Sequence, residues 1–502
     1  MKIFSAPQIK ACDAYTIHAE GISSSDLVER AANACATHIR QYFSTDTPFV
    51  FLCGMGNNGA DGLALARILM QYGYGIKVFV IQHRDQGTPE YKSNLNQILK
   101  VNAALVDYVA PESFLADFHP QVVIIDAILG VGLSRPIQGW LADFFAHINQ
   151  LPNFKIAIDV PSGLPADNAL PADHAVMRVN ETLSFQFLKR GFLHAETAGY
   201  AGLITLLDIG LHPTFIEATH THYSTIESPD MARLITPRDP FTYKNRKGHL
   251  FVAAGSKGKT GALILSSKAA LRSGAGLVTG IIPEACYHAY QSSVPEAMCI
   301  VAGDDTLNDF PLPETATACV LGMGMGTDAA TAEAFAQFMA TCELPCVFDA
   351  DALNLLAAHP DLLHKIPERS VLTPHVGECD RLFGVSQNSM QRVEHVRMQA
   401  MRYKVCIVLK GRYTVIATPE GDCFYNTTGN AGMAKAGSGD VLSGLIGGLL
   451  AKGHTAVEAA LLGVHLHGIA GDIAAGFMGQ EAMNAGDLVL QLPAAWQKLA
   501  KM

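Results

Sequence analysis

Asn426-Thr-Thr-Gly-Asn-Ala-Gly-Met-Ala-Lys-Ala-Gly-Ser-Gly-Asp-Val-Leu-Ser-Gly444 is a run of small residues that leads into Gly437-Ser438-Gly439-Asp440 and passes at Val441 into an apolar helical pattern. Glycine lets backbone N–H groups turn toward a ligand. A helix N-terminus adds free N–H donors and a partial positive charge. Together they form an anion hole suited to phosphate. Asp440 stands at its rim. A carboxylate is a poor phosphate ligand but a good acceptor of a hydroxyl proton. The alternative for this stretch is a glycine-rich turn with an aspartate helix cap.

Outward from this run, the second half reads as strands at 250–254, 319–321, Cys346–Phe348, 371–373 and 405–409. The segments 412–417 and 422–425, joined by Pro419-Glu420-Gly421, read as a hairpin. In the first half, Phe49–Cys53, Ile76–Ile81, 122–126 and 154–159 read as buried parallel strands, each followed by a loop and a helical pattern. That alternation predicts α/β architecture in both halves, with a doubly wound sheet in the first. The stretch 220–247, with Pro229, Pro237 and Pro240, is the expected boundary, giving domains at 1–222 and 226–502. The halves show no repeat of each other.

An apolar share of 49% with 16% charged residues predicts large buried cores. A net charge of -10 argues against nucleic acid as a partner. The N-terminus has no apolar core of a secretion signal, and no uninterrupted apolar run reaches the ~18 residues of a membrane span. The eleven cysteines form no Cys-x-x-Cys pair, which points to reduced thiols and a cytoplasmic setting. His465 and His467 lie in an apolar helical segment and read as core or interface histidines rather than metal ligands.

Gly54-Met55-Gly56-Asn57-Asn58-Gly59 follows a strand and satisfies the dinucleotide pattern Gly-x-Gly-x-x-Gly. The acidic residue that pattern wants at the end of the next strand is replaced by Gln82-His83-Arg84. Asn57, Asn58 and Asp61 instead offer amides and a carboxylate within one turn, fit for a polar ligand or a monovalent cation as well as a phosphate. Asp126 ends a strand, Gly130-Val131-Gly132-Leu133-Ser134-Arg135-Pro136 forms a second backbone-rich loop, and Asp159 to Ser162 ends another strand. Ligands bind at the carboxyl edge of such sheets, where these loops converge. Asp159 is the best proton-transfer candidate among them. Each aspartate taken alone also fits a helix cap or turn.

In the second half, Gly258-Lys259-Thr260 fails as a P-loop because Ala253 stands where its first glycine belongs. The stretch 255–261 reads as a glycine loop opening a helix, and Gly322-Met323-Gly324-Met325-Gly326 as another close backbone approach. Asp349 and Asp351 could organise Mg²⁺ through water or cap a helix. His375 follows a strand and can face a ligand. Lys410-Gly411-Arg412-Tyr413-Thr414 brings a cation to where phosphates would lie.

The second half thereby resembles the NAD(P)H-hydrate dehydratases, of ribokinase-like fold, through 322–326, 348–354, 372–378, 410–414 and 426–444. The first half resembles the NAD(P)H-hydrate epimerases, of Rossmann-like fold, through 54–62, Asp126, 130–136 and 159–163. The fused order is similar to the bacterial bifunctional NAD(P)H-hydrate repair enzymes. Two positions depart from the epimerase pattern: Ala60 stands in place of glycine and Val131 in place of threonine.

The resemblance implies that the substrates are NADH and NADPH hydrated at C6 of the nicotinamide ring. One domain interconverts the R and S hydrates, and the other restores the S form using ADP, with Mg²⁺ and K⁺ as the ions. Carried over, Asn57, Asn58, Gly59, Ala60, Asp61, Gly130, Val131, Gly132, Leu133, Ser134, Arg135, Pro136 and Asp159 bind the hydrate in the first half. Asn58, Asp126 and Ser162 match K⁺ ligands, and oxygen donors suit that ion. Ala262, Gly324, His375 and Asp440 bind the hydrate in the second half. Lys410, Gly411, Arg412, Tyr413, Thr414 and Gly439 bind the nucleotide. Asp440 and Asp159 are the catalytic groups, and a homo-oligomer is implied. The rival expectations are a ribokinase-like small-molecule kinase, which shares the Gly-x-Gly-Asp logic, and a nucleotide-binding scaffold.

Overall fold

Apolar runs in the first half become the strands of one parallel sheet. They are Phe49–Cys53 (β1), Ile76–Ile81 (β2), Val106–Val109 (β3), Val123–Ala127 (β4), Lys155–Ile158 (β5), Glu181–Phe185 (β6) and Leu203–Leu207 (β7). The order is β3-β2-β1-β4-β5-β6-β7. Every residue of β1 and β4 is buried, as a sheet covered on both faces requires. The winding reverses between β1 and β4, which pair from Phe49↔Val123 to Cys53↔Ala127. Such a reversal leaves a crevice at the carboxyl ends of the strands. The computed structural model describes residues 1–111, 117–133, 135–237 and 239–502. Its two compact units are Lys2–Thr221 with Asn388–Met390, and His222–Gln387 with Gln391–Met502 and Met1.

The second unit is built on Tyr223–Thr225 (β8), His249–Ala253 (β9), Leu277–Ile282 (β10), Met298–Val301 (β11), Ala318–Leu321 (β12), Cys346–Phe348 (β13), Val371–Leu372 (β14), Cys406–Leu409 (β15), Val415–Ala417 (β16) and Cys423–Tyr425 (β17). They form one sheet in the order β11-β10-β9-β12-β13-β14-β15-β16-β17-β8. The expected hairpin is present, with β15, β16 and β17 antiparallel. The winding reverses between β9 and β12.

Several strands go beyond the sequence reading. β3, β7 and β11 have exposed or half-exposed residues, including Leu203 at 67%, and so lack a continuous apolar signature. β6 opens with the polar pair Glu181 and Thr182. These are buried because Thr205 Oγ1 donates to Glu181 Oε1 at 2.8 Å and Thr182 Oγ1 to Ala201 O at 2.6 Å. β10 was also not singled out, and it carries Thr279 and Gly280 among its apolar residues. β8 lies inside the stretch read as a linker and pairs with β17.

Helix Ser438–Ala451 is buried on all sides from Val441 onward, as a helix apolar all round must be. It packs closely on helix Thr260–Arg272, since a Cβ on Gly444 would lie 2.0 Å from Ser266 O. Helix Ala456–Ala482 is long and apolar enough to cross a membrane by composition, yet 67% of its apolar window is buried inside the protein. His465 and His467 lie on it, both buried, and burial pushes both down to about 4. All eleven cysteines are free thiols.

Candidate active sites

In the first unit the chain leaves β1 at Cys53 and enters helix Asn57–Gln71 through a tight turn. A Cβ on Gly59 would fall 1.7 Å from Gly54 O, so only glycine closes this turn. The turn sets Asn58 against the loop after β4. A Cβ on Gly130 would lie 3.2 Å from Asn58 Cβ, and Asn58 Nδ2 donates to Leu129 O at 3.0 Å.

Asp126 is wholly buried and accepts from Ser162 N at 2.7 Å and Ser162 Oγ at 2.5 Å. Ser162 Oγ in turn accepts from Leu129 N at 2.8 Å. Three loops thus bring Asn58, Asp126 and Ser162 together around Leu129. Burial pushes the Asp126 carboxyl up to about 6 against the opposing hydrogen bonds from Ser162. Asn58 Oδ1 is buried without a hydrogen-bond partner among the described residues. An acceptor oxygen facing no donor is the kind of group that holds a hard cation.

The remaining positions of these loops divide by exposure. Asn57, Gly132, Arg135 and Pro136 are exposed, whereas Asp61, Gly130, Val131 and Leu133 are half-buried. Ser134 lies outside the described residues. The Ala60 methyl is wholly buried in the apolar cluster beneath the turn, so Ala60 offers a ligand its backbone alone. Val131 packs on the cluster of Val160, Leu164, Val176, Phe192 and Ala201.

Asp159 follows β5 with φ of +65°, a left-handed conformation that costs a non-glycine residue energy. Its Oδ1 accepts from Lys189 Nζ at 2.6 Å and Phe185 N at 3.3 Å. Lys189 is 1% exposed and also donates to Ser184 Oγ at 2.8 Å and Phe185 O at 3.0 Å. All three ammonium protons are then in use. Two more carboxylates share this neighbourhood. Burial, then Asp159 and Asp13, push Asp61 well above the usual carboxylate range. Burial and Asp159 push Asp13 up to about 6, with Lys189 opposing. Lys189 and Asp13 were missed in the sequence. Lys189 follows β6, a strand the apolar pattern does not reveal. Asp13 left one signal, a carboxylate beside the buried stripe Ile9, Cys12 and Thr16 of helix Ala6–Glu20.

In the second unit the ends of four parallel strands and one helix meet. Gly437 enters helix Ser438–Ala451 with φ of +92°. A Cβ on Gly439 would lie 3.4 Å from Lys410 Nζ and 3.7 Å from Asp349 Oδ2, which places the first helical turn over that ion pair. Lys410 Nζ is 2.7 Å from Asp349 Oδ1 and 3.8 Å from Glu378 Oε2. Ser443 Oγ donates to Asp349 Oδ2 at 2.6 Å. Burial alone would lower Lys410, but Asp349 and Glu378 outweigh it and hold the ammonium above its ordinary value. Asp440 stands in the helix's first turn. Burial and then Asp349 push its carboxyl up to about 7, with Lys410 opposing.

His375 bridges to Lys410 in the backbone and caps helix Val376–Phe383. Its Nδ1 accepts from Gly377 N at 3.0 Å and Glu378 N at 3.4 Å, which leaves the proton of a neutral ring on Nε2. Gly324 and Ala262 are neighbours, since a Cβ on Gly324 would lie 3.5 Å from Ala262 Cβ. Arg412 Nη1 donates to Gly429 O at 2.8 Å and so ties 410–414 to the glycine run. Arg412 also lies 4.8 Å from the Tyr413 ring, and Thr414 Oγ1 donates to Gly411 O at 3.1 Å. Asp351 accepts from Gly326 N at 2.9 Å, with Lys259 Nζ 3.9 Å away. Glu378 and Ser443 join the site although neither had been singled out.

Two family models match the chain. Residues 250–494 match the family model described as NAD(P)H-hydrate dehydratase, and residues 24–191 match that of the YjeF-related protein N-terminus. The chain is 34% identical over 491 residues to the bifunctional NAD(P)H-hydrate repair enzyme of Moorella thermoacetica, covering 94% of this chain and 92% of that relative. It is 33% identical over 476 residues to the bifunctional NAD(P)H-hydrate repair enzyme of Escherichia coli, covering 93% and 88%. Among solved structures, a ribokinase-like superfamily protein from Enterococcus faecalis matches with a TM-score of 0.50 and 26% identity, over 57% of this chain and 99% of that one.

Proposed function

The chain belongs to the bifunctional NAD(P)H-hydrate repair enzymes, and we propose that its first unit epimerises, and its second unit dehydrates, NADH and NADPH hydrated at C6. The observation that carries the dehydratase reading is the Asp440 carboxyl, raised to about 7 at a helix N-terminus beside Lys410. A base whose pKa lies near the working pH moves a proton most efficiently.

Asp440 takes the proton of the C6 hydroxyl. The oxygen then attacks the terminal phosphorus of ADP and AMP leaves. Backbone N–H groups at 436–439, together with Lys410, stabilise the charge on the transferring group. The ring nitrogen expels the phosphate from C6, and loss of a proton from C5 restores the reduced ring. Ala262, Gly324 and His375 hold the hydrate, while Lys410, Gly411, Arg412, Tyr413, Thr414 and Gly439 hold the nucleotide. The donor chemistry of Asp349 and Glu378, two carboxylates flanking Lys410, fits a water-mediated Mg²⁺. Mg²⁺ there would neutralise phosphate charge.

In the first unit Asp159 is the proton-transfer group at C6. Asn57, Asn58, Gly59, Ala60, Asp61, Asp159 and the loop 130–136 bind the hydrate. Asn58, Asp126 and Ser162 hold K⁺, a reading supported by the buried Asn58 Oδ1, which has no hydrogen-bond partner among the described residues. The bound ion would fix these loops. The protein works in this reading as a cytoplasmic homo-oligomer on small molecules, with neither nucleic acid nor membrane as partner.

The test uses a mixed R/S hydrate of NADH with Mg²⁺, K⁺ and ADP, following the near-ultraviolet absorbance of the reduced ring. Full conversion is expected, because a dehydratase alone stops when the S form is gone. Asp440→Asn is expected to lower dehydration ~10²–10⁴-fold while ADP binding persists. Equal loss of catalysis and nucleotide binding would overturn the role of Asp440. Accumulation of a phosphorylated product would mark a kinase instead.

A further inference from the structure

The loop after β2 carries Gln82-His83-Arg84 where a dinucleotide fold that reads NAD places an acidic residue for the ribose. The structure folds this loop against the glycine turn after β1. Thr88 N donates to Met55 O at 3.0 Å, and Arg84 Nη2 donates to the same carbonyl. His83 Nδ1 lies 3.1 Å from Ile81 O, and a Cβ on Gly54 would lie 3.1 Å from His83 Cε1. A Cβ on Gly56, the residue that caps helix Asn57–Gln71, would lie 3.2 Å from Arg84 Nη2. The guanidinium therefore stands at the entrance of the helix that carries Asn57, Asn58 and Asp61.

Arg84 is exposed, and its bond to Met55 O uses one of its five N–H donors. No carboxylate pairs with it among the described residues, its neighbour Asp85 included. A guanidinium with donors to spare grips a phosphate through two parallel hydrogen bonds. Burial holds His83 below the ordinary histidine value, which leaves Arg84 as the cation of residues 82–88.

The sheet order fixes where the two ends of a dinucleotide lie. Asp159 follows β5 and Arg84 follows β2, with β1 and β4 between them. Three strand spacings of about 4.8 Å separate β5 from β2, ~14 Å in all. With C6 of the nicotinamide ring at Asp159 and the pyrophosphate at the helix entrance after β1, the adenosine end reaches the loop after β2. The group at that end that distinguishes NADPH from NADH is the 2′-phosphate of the ribose. We propose that Arg84 binds this 2′-phosphate and gives the first unit a preference for NADPH hydrate over NADH hydrate. This rests on the reading of the first unit as the epimerase. An acidic residue here would accept from the ribose 2′-hydroxyl of NADH and repel the phosphate, and Arg84 does the reverse.

The experiment uses the full-length protein and the R hydrates of NADPH and NADH, each without ADP so that the dehydratase is silent. R-to-S conversion is followed by chromatography, and the readout is the ratio of kcat/KM for the two substrates. The wild type is expected to favour NADPH hydrate about ten- to a hundredfold, chiefly through KM, the range of charge-assisted hydrogen bonds. Arg84→Gln is expected to bring the ratio to within about threefold of unity, and Arg84→Glu to invert it. Added salt should shrink the preference of the wild type and leave that of Arg84→Gln unmoved. Adenosine 2′,5′-bisphosphate should inhibit conversion of NADH hydrate more strongly than adenosine 5′-monophosphate, and Arg84→Gln should abolish the difference.

A ratio that Arg84→Gln leaves unchanged overturns the proposal. So does an equal fall on both substrates, which would put Arg84 on the pyrophosphate that they share. The ratio is insensitive to a partial loss of folded protein, and Thr88 N still holds Met55 O in both variants. Should Arg84→Gln fail to fold, the two adenosine phosphates on the wild type carry the test, and equal inhibition overturns it. A wild type that epimerises neither hydrate removes the reading of the first unit. Calorimetry of the two adenosine phosphates, on the wild type and on Arg84→Gln, then decides the role of Arg84 by itself.

Discussion

If Asp440 is the base proposed above, folding and catalysis pull against each other at this residue. Its carboxyl is raised from 3.8 to about 7, first by burial and then by Asp349. Between those values the folded chain binds more protons than the unfolded chain, so stability falls as pH rises through that window. In the proposed role of Asp440 as base the working form is the ionised one, so dehydration should rise through about 7 as stability declines. Asp440→Asn removes the charge, and its melting temperature should exceed that of the wild type at pH 8, by ~2–4 °C for each kcal/mol gained in a unit of this size. The difference should vanish near pH 4, where the wild type is protonated too. Calorimetry at the two pH values checks this, and equal melting temperatures at pH 8 would show that burial does not strain the carboxylate. Asp440, Asp159 and Asp126 were readable as site candidates because each ends a strand or opens a helix beside glycines. Lys189, Asp13, Glu378 and Ser443 were not. They reach the sites through side chains from elements distant in sequence, and only folding brings Lys189 within 2.6 Å of Asp159 or Ser443 within 2.6 Å of Asp349.

At the scale of elements, the dehydratase site depends on how closely helix Ser438–Ala451 can approach helix Thr260–Arg272. In Gly444→Ala the new methyl would sit 2.0 Å from Ser266 O, a backbone atom that cannot swing aside. Overpacking of this kind costs about 1–3 kcal/mol and shifts the helix that carries Asp440. Dehydration should fall and epimerisation should persist in the same preparation. Gly476→Ala is the control, because nothing lies within 4 Å of its added Cβ and alanine suits a helix better by about 0.5–1 kcal/mol. Equal behaviour of the two variants in thermal unfolding would show that the approach of the helices is not limiting. The same contrast between local and distant causes explains which strands were legible. β1, β2 and β13 are continuous apolar runs that announce burial on both faces. β6 hides its burial behind Glu181 and Thr182, whose partners on and beside β7 are some twenty residues away. β8 is a three-residue strand, Tyr223–Thr225, in a stretch whose prolines read as a linker.

For the whole molecule, the proposed function assigns different ions to the two sites. The oxygen cluster of Asn58, Asp126 and Ser162 lies entirely in the first unit, and the Asp349, Glu378 and Lys410 cluster entirely in the second. Exchanging K⁺ for tetramethylammonium, which is too large for a site closed around Leu129, should therefore slow epimerisation and spare dehydration. With a mixed R/S hydrate, Mg²⁺ and ADP, the absorbance trace should change from a single rise to full conversion into a burst equal to the S fraction followed by a slow phase. Adding K⁺ back should restore the single rise. With K⁺ present and ADP withheld, R and S should interconvert with no gain in absorbance. Ser162→Ala, which removes one oxygen of the cluster, should reproduce the burst even in K⁺. If withdrawing K⁺ slows the dehydration of pure S hydrate as much as the epimerisation of R, the ion acts on the second unit as well, and its assignment to Asn58, Asp126 and Ser162 fails.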